Sequence, residues 1–382
     1  MNRRVYLDNN ATTPLDPLVQ KEMAHALSVH GNPSSIHAEG REARAFIDDA
    51  RVAVGRLLQC DHRQIVFTSG GTEANNLAVL GAARANADRG RHIITSSIEH
   101  SSILNACHQL ESEGFEVTYV APTPDGIIEP KAIAQAIRPG TILITIMMAN
   151  NEVGTIQPIT EIGSLAKQHQ ILFHTDAVQA LGKIPVVIDE LNVDLLSVSA
   201  HKIYGPKGVG ALYHRANISV MPLQRGGTHE NGLRPGTENA PAIHAFGVAA
   251  SILNKEGAPG LIGLRQKIEA DLENTSMKVI CQNAPRLPNT INFYSDSWLG
   301  ESMVMAFDLE GIAVSNGSAC SSGIIESSHV IRALGYNEDV SRSVIRVSLG
   351  KFNTEQDIDY FLRVVHDLEN RMGSRIDGGV LE

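Results

Sequence analysis

The protein has 382 residues, enough for one large domain with a smaller one attached, and 43% of them are hydrophobic, which is typical of a chain that buries a substantial core. A formal net charge of -10, no polybasic run and apolar runs too short to cross a bilayer argue against nucleic-acid or membrane binding. No secretory leader is visible and the four scattered cysteines form no CxxC pair, so we expect a cytoplasmic protein without bound metal.

Short apolar runs alternate with amphipathic helical patterns over the first two thirds of the chain. Runs that are apolar throughout suit strands covered on both faces, as in a mostly parallel sheet. The alternation therefore predicts a three-layer α/β domain. The predicted strands lie at residues 65–67, 92–95, 117–120, 142–148, 171–173, 195–198 and 209–213.

The pattern changes after about residue 260. Residues 290–294 and 344–349 resemble strands, and a helix that starts near Thr354 closes the chain with one apolar stripe. This pattern of strands and helix predicts a smaller α+β domain. We expect a large domain over residues 15–260 and a small domain formed by residues 1–14 and 261–382.

Lys202 directly follows the predicted strand at 195–198. The carboxyl end of a strand in an open α/β sheet is a favoured position for a ligand, and desolvation there favours the neutral amine that forms a Schiff base. Ser199 and His201, in the same turn, are suited to binding a phosphate. The alternative is an ordinary surface lysine before a glycine turn, the commoner setting for a lysine.

Asp176 follows the predicted strand at 171–173 in the same way. A buried carboxylate beside the ring nitrogen of pyridoxal phosphate keeps that nitrogen protonated, which the cofactor needs to withdraw electrons. An aspartate after a strand is more often a helix cap. The strand followed by Asp176 and the strand followed by Lys202 lie close together in the sequence, which favours the cofactor interpretation.

Three further strand ends carry polar groups. Gly71 and Thr72 follow the strand at 65–67, where glycines and free N–H groups suit a phosphate, although many strand-to-helix turns look alike. His100 is suited to stacking on a cofactor ring and moving protons, or it is a loop histidine without a role. Asn150 is suited to binding a substrate carboxylate. This convergence at one sheet edge predicts a cofactor site there.

Several segments together resemble cysteine desulfurases of the NifS/IscS family, in the class V branch of the fold-type-I pyridoxal-phosphate enzymes. The resemblance covers nearly the whole chain in the order of the family. The segments are YLDNNATT at 6–13, GNPSS at 31–35, SGGTE at 69–73, EH at 99–100, NNE at 150–152, DAVQ at 176–179, SAHK at 199–202 and RPGTEN at 234–239.

The resemblance implies pyridoxal 5'-phosphate as the cofactor, Lys202 as the lysine of its internal aldimine and Asp176 as the partner of its ring nitrogen. It further implies that Thr237 reaches the phosphate of the neighbouring subunit, so that a homodimer with shared active sites is expected. The other implied cofactor contacts are Gln179 at the ring hydroxyl, His100 over the ring face, and Gly71, Thr72, Ser199 and His201 at the phosphate. The implied substrate contacts are Asn10, Asn150 and Arg346.

Cys320 is the expected nucleophile. It lies among small residues and glycines at 315–323, a composition typical of an accessible loop, whereas Cys107 and Cys281 sit in apolar surroundings that suit small buried hydrophobes. The resemblance implies conversion of L-cysteine to L-alanine, with Lys202 and His100 moving protons and the sulfur held as a persulfide on Cys320. We expect a sulfur-acceptor protein as partner and iron–sulfur cluster assembly as the pathway.

Alternatives stay open at this point. Another class V enzyme, such as a selenocysteine lyase or an aminotransferase, shares the fold, and an aminotransferase has no need of Cys320. A non-catalytic scaffold is disfavoured because Lys202 and Cys320 are both present. Sulfur donation to tRNA thiolation or DNA phosphorothioation draws on the same persulfide. Thr228 and His229 depart from the usual Gly-Gln of the family, with no assigned consequence.

Overall fold

The computed structural model describes residues 4–317 and 327–377. Its strands are β1 (Val5–Tyr6), β2 (Ile65–Thr68), β3 (His92–Ser96), β4 (Glu116–Val120), β5 (Thr141–Thr145), β6 (Leu172–Asp176), β7 (Leu195–Ser199), β8 (Gly210–His214), β9 (Lys278–Val279), β10 (Thr290–Tyr294), β11 (Ile312–Ala313) and β12 (Val344–Ser348). Its helices are α1 (Pro17–Ala26), α2 (Ala38–Leu57), α3 (Gly71–Asn76), α4 (Ala82–Ala85), α5 (Ser101–Ser112), α6 (Pro130–Ala136), α7 (Ile159–Gln168), α8 (Ile188–Leu191), α9 (Ala240–Glu256), α10 (Ile262–Leu272), α11 (Gly300–Leu309), α12 (His329–Ala333), α13 (Glu338–Ser343) and α14 (Glu355–Asp377).

Seven strands form the central sheet in the order β2-β8-β7-β6-β5-β3-β4. Within it β8 runs antiparallel to both of its neighbours, β2 and β7, and the remaining pairs are parallel. Each of the seven predicted apolar runs corresponds to one of these strands, so the predicted mostly parallel sheet is confirmed.

Successive residues of the strands pack into different apolar clusters, because side chains alternate between the two faces of a sheet. Phe67 and Ile94 join the cluster that contains α1, α2 and α9. Their chain neighbours Val66 and Ile93 join the cluster that contains α3, α4 and α5. Helices therefore cover both faces, which confirms the predicted three-layer α/β architecture.

The carboxyl ends of β2, β3, β5, β6 and β7 lie at one edge of the central sheet. The parallel pairs place β3, β5, β6 and β7 in one direction. Strand β2 shares that direction, because it is antiparallel to β8 and β8 is antiparallel to β7. The turns that carry the strand-end polar groups therefore converge, as the sequence predicts.

A second, smaller set of strands carries Arg346. Strands β12, β10 and β9 form an antiparallel sheet, and β1 pairs in parallel with β11. One apolar cluster joins Val5 and Leu7 to residues between Leu261 and Leu368, including the stripe of α14. The domain boundaries stay a prediction. In the described part of the chain, no helix is long and apolar enough to cross a membrane.

Candidate active site

A cavity of about 500 Å³ opens where the carboxyl ends of the central strands meet, a size typical of small-molecule sites. Ten of the residues predicted from the sequence line it, although they come from segments spread over more than 300 positions of the chain. These residues are Asn10, Gly71, Thr72, His100, Asp176, Gln179, Ser199, His201, Lys202 and Arg346.

Lys202 enters the cavity from a single 3-10 turn (Ala200–Lys202) that directly follows β7. Its Nζ donates hydrogen bonds to the carbonyl oxygens of Asn10 and Ala11, at 2.5 and 2.8 Å. The N-terminal segment is held in turn by Thr13, whose N–H donates to the carbonyl of His201 at 2.9 Å. The amine is therefore fixed inside a cavity rather than exposed as a surface lysine.

Asp176 ends β6 and is 6% exposed. Its Oδ1 accepts from the N–H of Val178 at 2.9 Å, and its Oδ2 accepts from Nδ2 of Asn75 at 2.7 Å. The aspartate therefore has the local backbone contact expected of a capping residue and also presents a buried carboxylate to the cavity. A carboxylate held in this way suits the protonated nitrogen of a pyridine ring.

His100 is the N-terminal cap of α5, which fixes its ring at the cavity. Its Nδ1 accepts from the N–H of Ser102 at 3.1 Å and lies 2.8 Å from the Oγ of Ser102. Because Nδ1 accepts from the backbone, the neutral ring carries its proton on Nε2. Asn75 also donates to the Oγ of Ser102 at 2.9 Å, so a continuous hydrogen-bonded path joins Asp176 to His100.

The start of α3 and the end of β7 form a pocket suited to a phosphate. No side chain caps α3, and a Cβ atom on Gly71 would lie only 2.8 Å from Cγ2 of Val178, so glycine allows this close approach. The buried Oγ of Ser199 has no hydrogen-bond partner among the described residues. Free N–H groups at a helix start together with an unpaired hydroxyl fit the phosphate of pyridoxal phosphate.

His201 lies beside this pocket as a neutral ring. Its Nδ1 is 3.2 Å from the Oγ1 of Thr12. Burial, with the nearby charges of Lys202 and Lys207, lowers the pKa of His201 to about 4. Near neutral pH the ring therefore offers hydrogen bonds to an anion without adding charge.

Gln179 lies in a network that the sequence does not reveal. Its Nε2 donates to the carbonyl of Asn10 at 2.9 Å, and its Oε1 accepts from Nζ of Lys183 at 2.5 Å. Nζ of Lys183 also donates to Oδ1 of Asn10 at 2.9 Å. Lys183 and Asn75 are the residues that the sequence analysis missed, since each acts through contacts made only in the folded chain.

Arg346, on β12, is 2% exposed and lines the side of the cavity formed by the smaller sheet. Its Nη2 forms an ion pair of 2.8 Å with Asp8, and its Nη1 donates to the carbonyls of Asn151 and Gly317 at 3.1 Å each. Its buried Nε has no hydrogen-bond partner among the described residues. A buried guanidinium with an unused N–H suits a substrate carboxylate.

Glu99 lies fully buried directly before His100. Its Oε1 accepts from the Oγ of Ser96 at 2.6 Å and from the N–H of Met147 at 3.0 Å. Burial raises the pKa of Glu99 to about 8, and the charge of Asp176 acts in the same direction. The carboxyl is therefore mostly protonated near neutral pH.

Three predicted residues are not among those lining the cavity. Asn150 is fully buried, and its amide is used by the carbonyl of Ile98 and by the N–H groups of the turn at 152–153, which leaves its predicted substrate contact without support from this geometry. Thr237 is exposed on this single chain. Cys320 lies outside the described residues, so its position is not assigned.

The comparisons with known proteins agree with this geometry. A model of the aminotransferase class-V family matches residues 5–361. A protein named cysteine desulfurase IscS from Dictyoglomus turgidum is 46% identical over 380 residues, which cover 97% of this chain and 96% of that relative.

Two solved structures are also similar. A NifS-like protein has a TM-score of 0.90 at 37% identity and covers 96% of this chain and 99% of its own. A protein named SspA, solved in complex with cysteine, has a TM-score of 0.82 at 39% identity, covering 92% of this chain and 100% of its own. The chain therefore belongs to the class-V aminotransferase family and, within it, to the pyridoxal-phosphate-dependent cysteine desulfurases of the NifS/IscS type.

Proposed function

We propose that the protein converts L-cysteine to L-alanine, holds the released sulfur as a persulfide on Cys320, and passes it to an acceptor protein for iron–sulfur cluster assembly. The observation that carries this proposal is the meeting of Lys202, Asp176 and Arg346 in one cavity. An amine for covalent capture, a buried carboxylate and a guanidinium are what pyridoxal-phosphate chemistry on an amino acid requires. The relative named cysteine desulfurase and the similar protein solved with cysteine support the substrate.

The cofactor fits the donors that the cavity supplies. Lys202 would hold it covalently and Asp176 would pair with its ring nitrogen. Gln179 and His100 would contact its ring, and the start of α3 with Ser199 and His201 would bind its phosphate. When bound, pyridoxal phosphate withdraws electrons from the Cα of an amino acid and so makes its proton removable.

Arg346 would bind the carboxylate of the substrate, and Asn10 would line the same region. The guanidinium is always charged, and its partner Asp8 keeps it in place. Lys202 Nζ would be the base that takes the Cα proton of the substrate. His100 would supply a proton where the carbon loses sulfur, since its neutral ring carries a proton on Nε2.

Cys320 would accept the sulfur. Its thiolate attacks the substrate sulfur, so a sulfur–sulfur bond forms and the carbon–sulfur bond breaks, with the bonding electrons passing to the carbon and a proton following. The overall change is cysteine plus enzyme thiol to alanine plus enzyme persulfide. The described cysteines are poor candidates, because burial raises the pKa of Cys60, Cys107 and Cys281 to about 12 in each case.

The test is to mix the purified enzyme with L-cysteine and a reductant and to measure alanine and sulfide in the same sample. We expect equal amounts of both, and loss of both in Cys320→Ser, while the matched variant Cys60→Ser keeps them. Full sulfide release by Cys320→Ser would contradict the nucleophile. Formation of pyruvate, or conversion of the cofactor to its amine form, would indicate the activity of another class V enzyme instead.

The cofactor assignment has its own test. Lys202→Ala should lose the visible absorbance of covalently bound cofactor after dialysis, because no other group in the cavity is expected to form the Schiff base. The exposed neighbour Lys207 provides the control, since Lys207→Ala should keep that absorbance. Persistence of the absorbance in Lys202→Ala would contradict the assignment.

We also propose a homodimer in which Thr237 of each subunit completes the phosphate site of the other. The exposure of Thr237 on the single chain supports this proposal, since an exposed residue is available to a partner. Mixing Lys202→Ala with Thr237→Ala subunits should restore activity, because a hybrid dimer contains one intact site. If subunit exchange is verified and the mixture is still no more active than the separate variants, the proposed sharing of active sites is contradicted.

The pathway is tested in a strain that lacks the gene. We expect loss of iron–sulfur enzyme activity, restored by the wild-type protein and not by Cys320→Ser. If iron–sulfur enzyme activity is normal in that strain but tRNA thiolation or DNA phosphorothioation is lost, the persulfide sulfur instead supplies the pathway that is lost. Faster release of selenide from selenocysteine than of sulfide from cysteine by the purified enzyme would favour a selenocysteine lyase.

A further inference from the structure

Lys183 is a partly buried lysine that contacts the cavity residues Gln179 and Asn10 from behind, in a smaller adjoining pocket, and the proposed reaction does not use it. It follows Gln179 by four residues and donates to two amide oxygens, Oε1 of Gln179 at 2.5 Å and Oδ1 of Asn10 at 2.9 Å. Burial, followed by the charges of Lys202 and Arg346, lowers its pKa well below the ordinary value. A neutral amine has two N–H groups and a charged one has three, so Lys183 can make both hydrogen bonds in either form.

These contacts determine which way the two amides face. Because Oε1 of Gln179 accepts from Lys183, its Nε2 faces the opposite way and donates to the carbonyl of Asn10. The same carbonyl accepts from Nζ of Lys202. The side chain of Asn10 is fixed independently, since Asn289 donates to its Oδ1 at 3.1 Å. The amide of Gln179, in contrast, has Lys183 as the one described donor to its oxygen.

The orientation matters for the proposed cofactor contact. The ring oxygen of bound pyridoxal phosphate carries negative charge, so it needs a hydrogen-bond donor beside it. Nε2 of Gln179 provides a donor, whereas a reversed amide would present Oε1 and repel the ring oxygen. An isolated glutamine has little preference between these two orientations.

We propose that Lys183 is a positioning residue that holds the donor end of the Gln179 amide toward the ring oxygen of the cofactor. This inference rests on the proposed function, in which Gln179 contacts that oxygen. Lys183 thereby sets the charge on the ring oxygen and, through it, the proton affinity of the nitrogen that Lys202 contributes to the cofactor.

Other charged groups also act on that nitrogen. The charge of Arg346, on β12 and paired with Asp8, acts on Lys183. His201, next to Lys202, is neutral above a pH of about 4. Asp176 lines the cavity from β6. None of these groups bonds the oxygen of Gln179 in the described part of the chain, so removal of Lys183 leaves the amide held only at its nitrogen end, by the carbonyl of Asn10.

The experiment is a spectrophotometric pH titration of bound cofactor in the absence of substrate. In Lys183→Met we expect the midpoint of the absorbance change to rise by about one pH unit, because a ring oxygen without its donor retains more charge and stabilises the neighbouring proton. Cofactor affinity should fall roughly tenfold, the effect of one lost hydrogen bond to a charged group. Lys183→Arg, which keeps the donors, should restore both values.

A double variant separates amide orientation from charge. If Lys183 acts through Gln179, then Lys183→Met should cause no further shift of the midpoint in a Gln179→Leu background. A shift of equal size in both backgrounds would show a direct charge effect and overturn the proposal. Lys207→Met, which removes an exposed charge after Lys202, is the control and should leave the midpoint unchanged.

Two outcomes keep this inference distinct from the proposed function. A wild-type protein that forms no visible covalent adduct with cofactor would contradict the proposed function itself. A normal wild-type spectrum with an unchanged midpoint in Lys183→Met would overturn only the role of Lys183. If Lys183→Met does not fold, Lys183→Gln replaces it, with a smaller rise expected because its amide keeps N–H donors on a shorter side chain, and an unchanged midpoint again overturns the proposal.

Discussion

Nδ2 of Asn75 lies 2.7 Å from Oδ2 of Asp176, a buried hydrogen bond that joins two cavity-lining residues 101 positions apart. The same amide nitrogen donates to Ser102, whose hydroxyl contacts the ring of His100. One asparagine therefore connects the carboxylate proposed for the cofactor nitrogen with the histidine proposed to move protons. This contact and others around the cavity should affect cofactor affinity, stability and steady-state kinetics.

Asn75→Ala should weaken cofactor binding. The substitution removes a buried donor from a carboxylate, a loss of about 1.5–3 kcal/mol, which corresponds to roughly tenfold to a hundredfold in affinity. Titration of the apoenzyme with pyridoxal phosphate, followed by absorbance, measures the change. The matched control is Asn76→Ala, whose amide donates only to backbone carbonyls and should leave the affinity near wild type. Equal affinities for all three proteins would contradict the role of Asn75.

Gly71→Ala should also weaken cofactor binding, by a different cause. The added Cβ would lie 2.8 Å from Cγ2 of Val178, so the start of α3 or the side chain of Val178, which both line the cavity, must move. Since the effect is on the phosphate, affinity for pyridoxal phosphate should fall more than affinity for unphosphorylated pyridoxal. Gly260→Ala, where nothing lies within 4 Å of the new Cβ, is the control. An equal loss for both ligands would refute the phosphate assignment.

Glu99 should make the stability of the apoenzyme depend on pH. Its pKa is raised from an ordinary 4.5 to about 8 by burial, so the folded state binds more protons than the unfolded state between these values. The contribution of Glu99 is therefore most favourable at low pH and is lost as the pH rises from about 4.5 toward 8.

Glu99→Gln removes this titration while keeping an oxygen for the N–H of Met147. The variant should gain stability relative to wild type as the pH rises from 5 to 8, in thermal unfolding followed by circular dichroism at each half unit of pH. Glu116→Gln, at an exposed position, serves as the comparison. Parallel stability curves for wild type and Glu99→Gln would exclude a buried titrating carboxyl.

Arg346→Lys should raise KM for L-cysteine more than it lowers kcat. Lysine keeps the charge beside Asp8 but lacks the two parallel N–H groups that bind a carboxylate, a loss of about 1.5–3 kcal/mol. Steady-state kinetics over a range of cysteine concentrations measure the split, and the spectrum of bound cofactor before substrate is added should stay unchanged. A fall in kcat with an unchanged KM would indicate that Arg346 acts in the chemical step and not in substrate binding.

The sequence by itself determined the fold class, because strands buried on both faces must be apolar throughout. The runs at 65–67, 92–95 and 195–198 became β2, β3 and β7 for that reason. It also determined that Asp176 and Lys202 lie at the carboxyl ends of strands of one sheet, Asp176 as the last residue of β6 and Lys202 in the turn after β7, since polar groups that interrupt apolar runs mark the strand ends. The resemblance of its motifs to cysteine desulfurases was likewise readable, and the family comparison confirms it.

Only the tertiary structure decided which side chains meet. Asn75 contacts Asp176, and Lys183 contacts Asn10, across more than 100 positions of the chain, so no local spacing indicates either pair. Asn150 follows β5 as its predicted role required, but its amide oxygen is used inside its own turn and its amide nitrogen by the carbonyl of Ile98. The physical reason is common to all of these residues: composition and periodicity determine whether a residue is buried, whereas its hydrogen-bond partner depends on strand order and on the packing of distant segments.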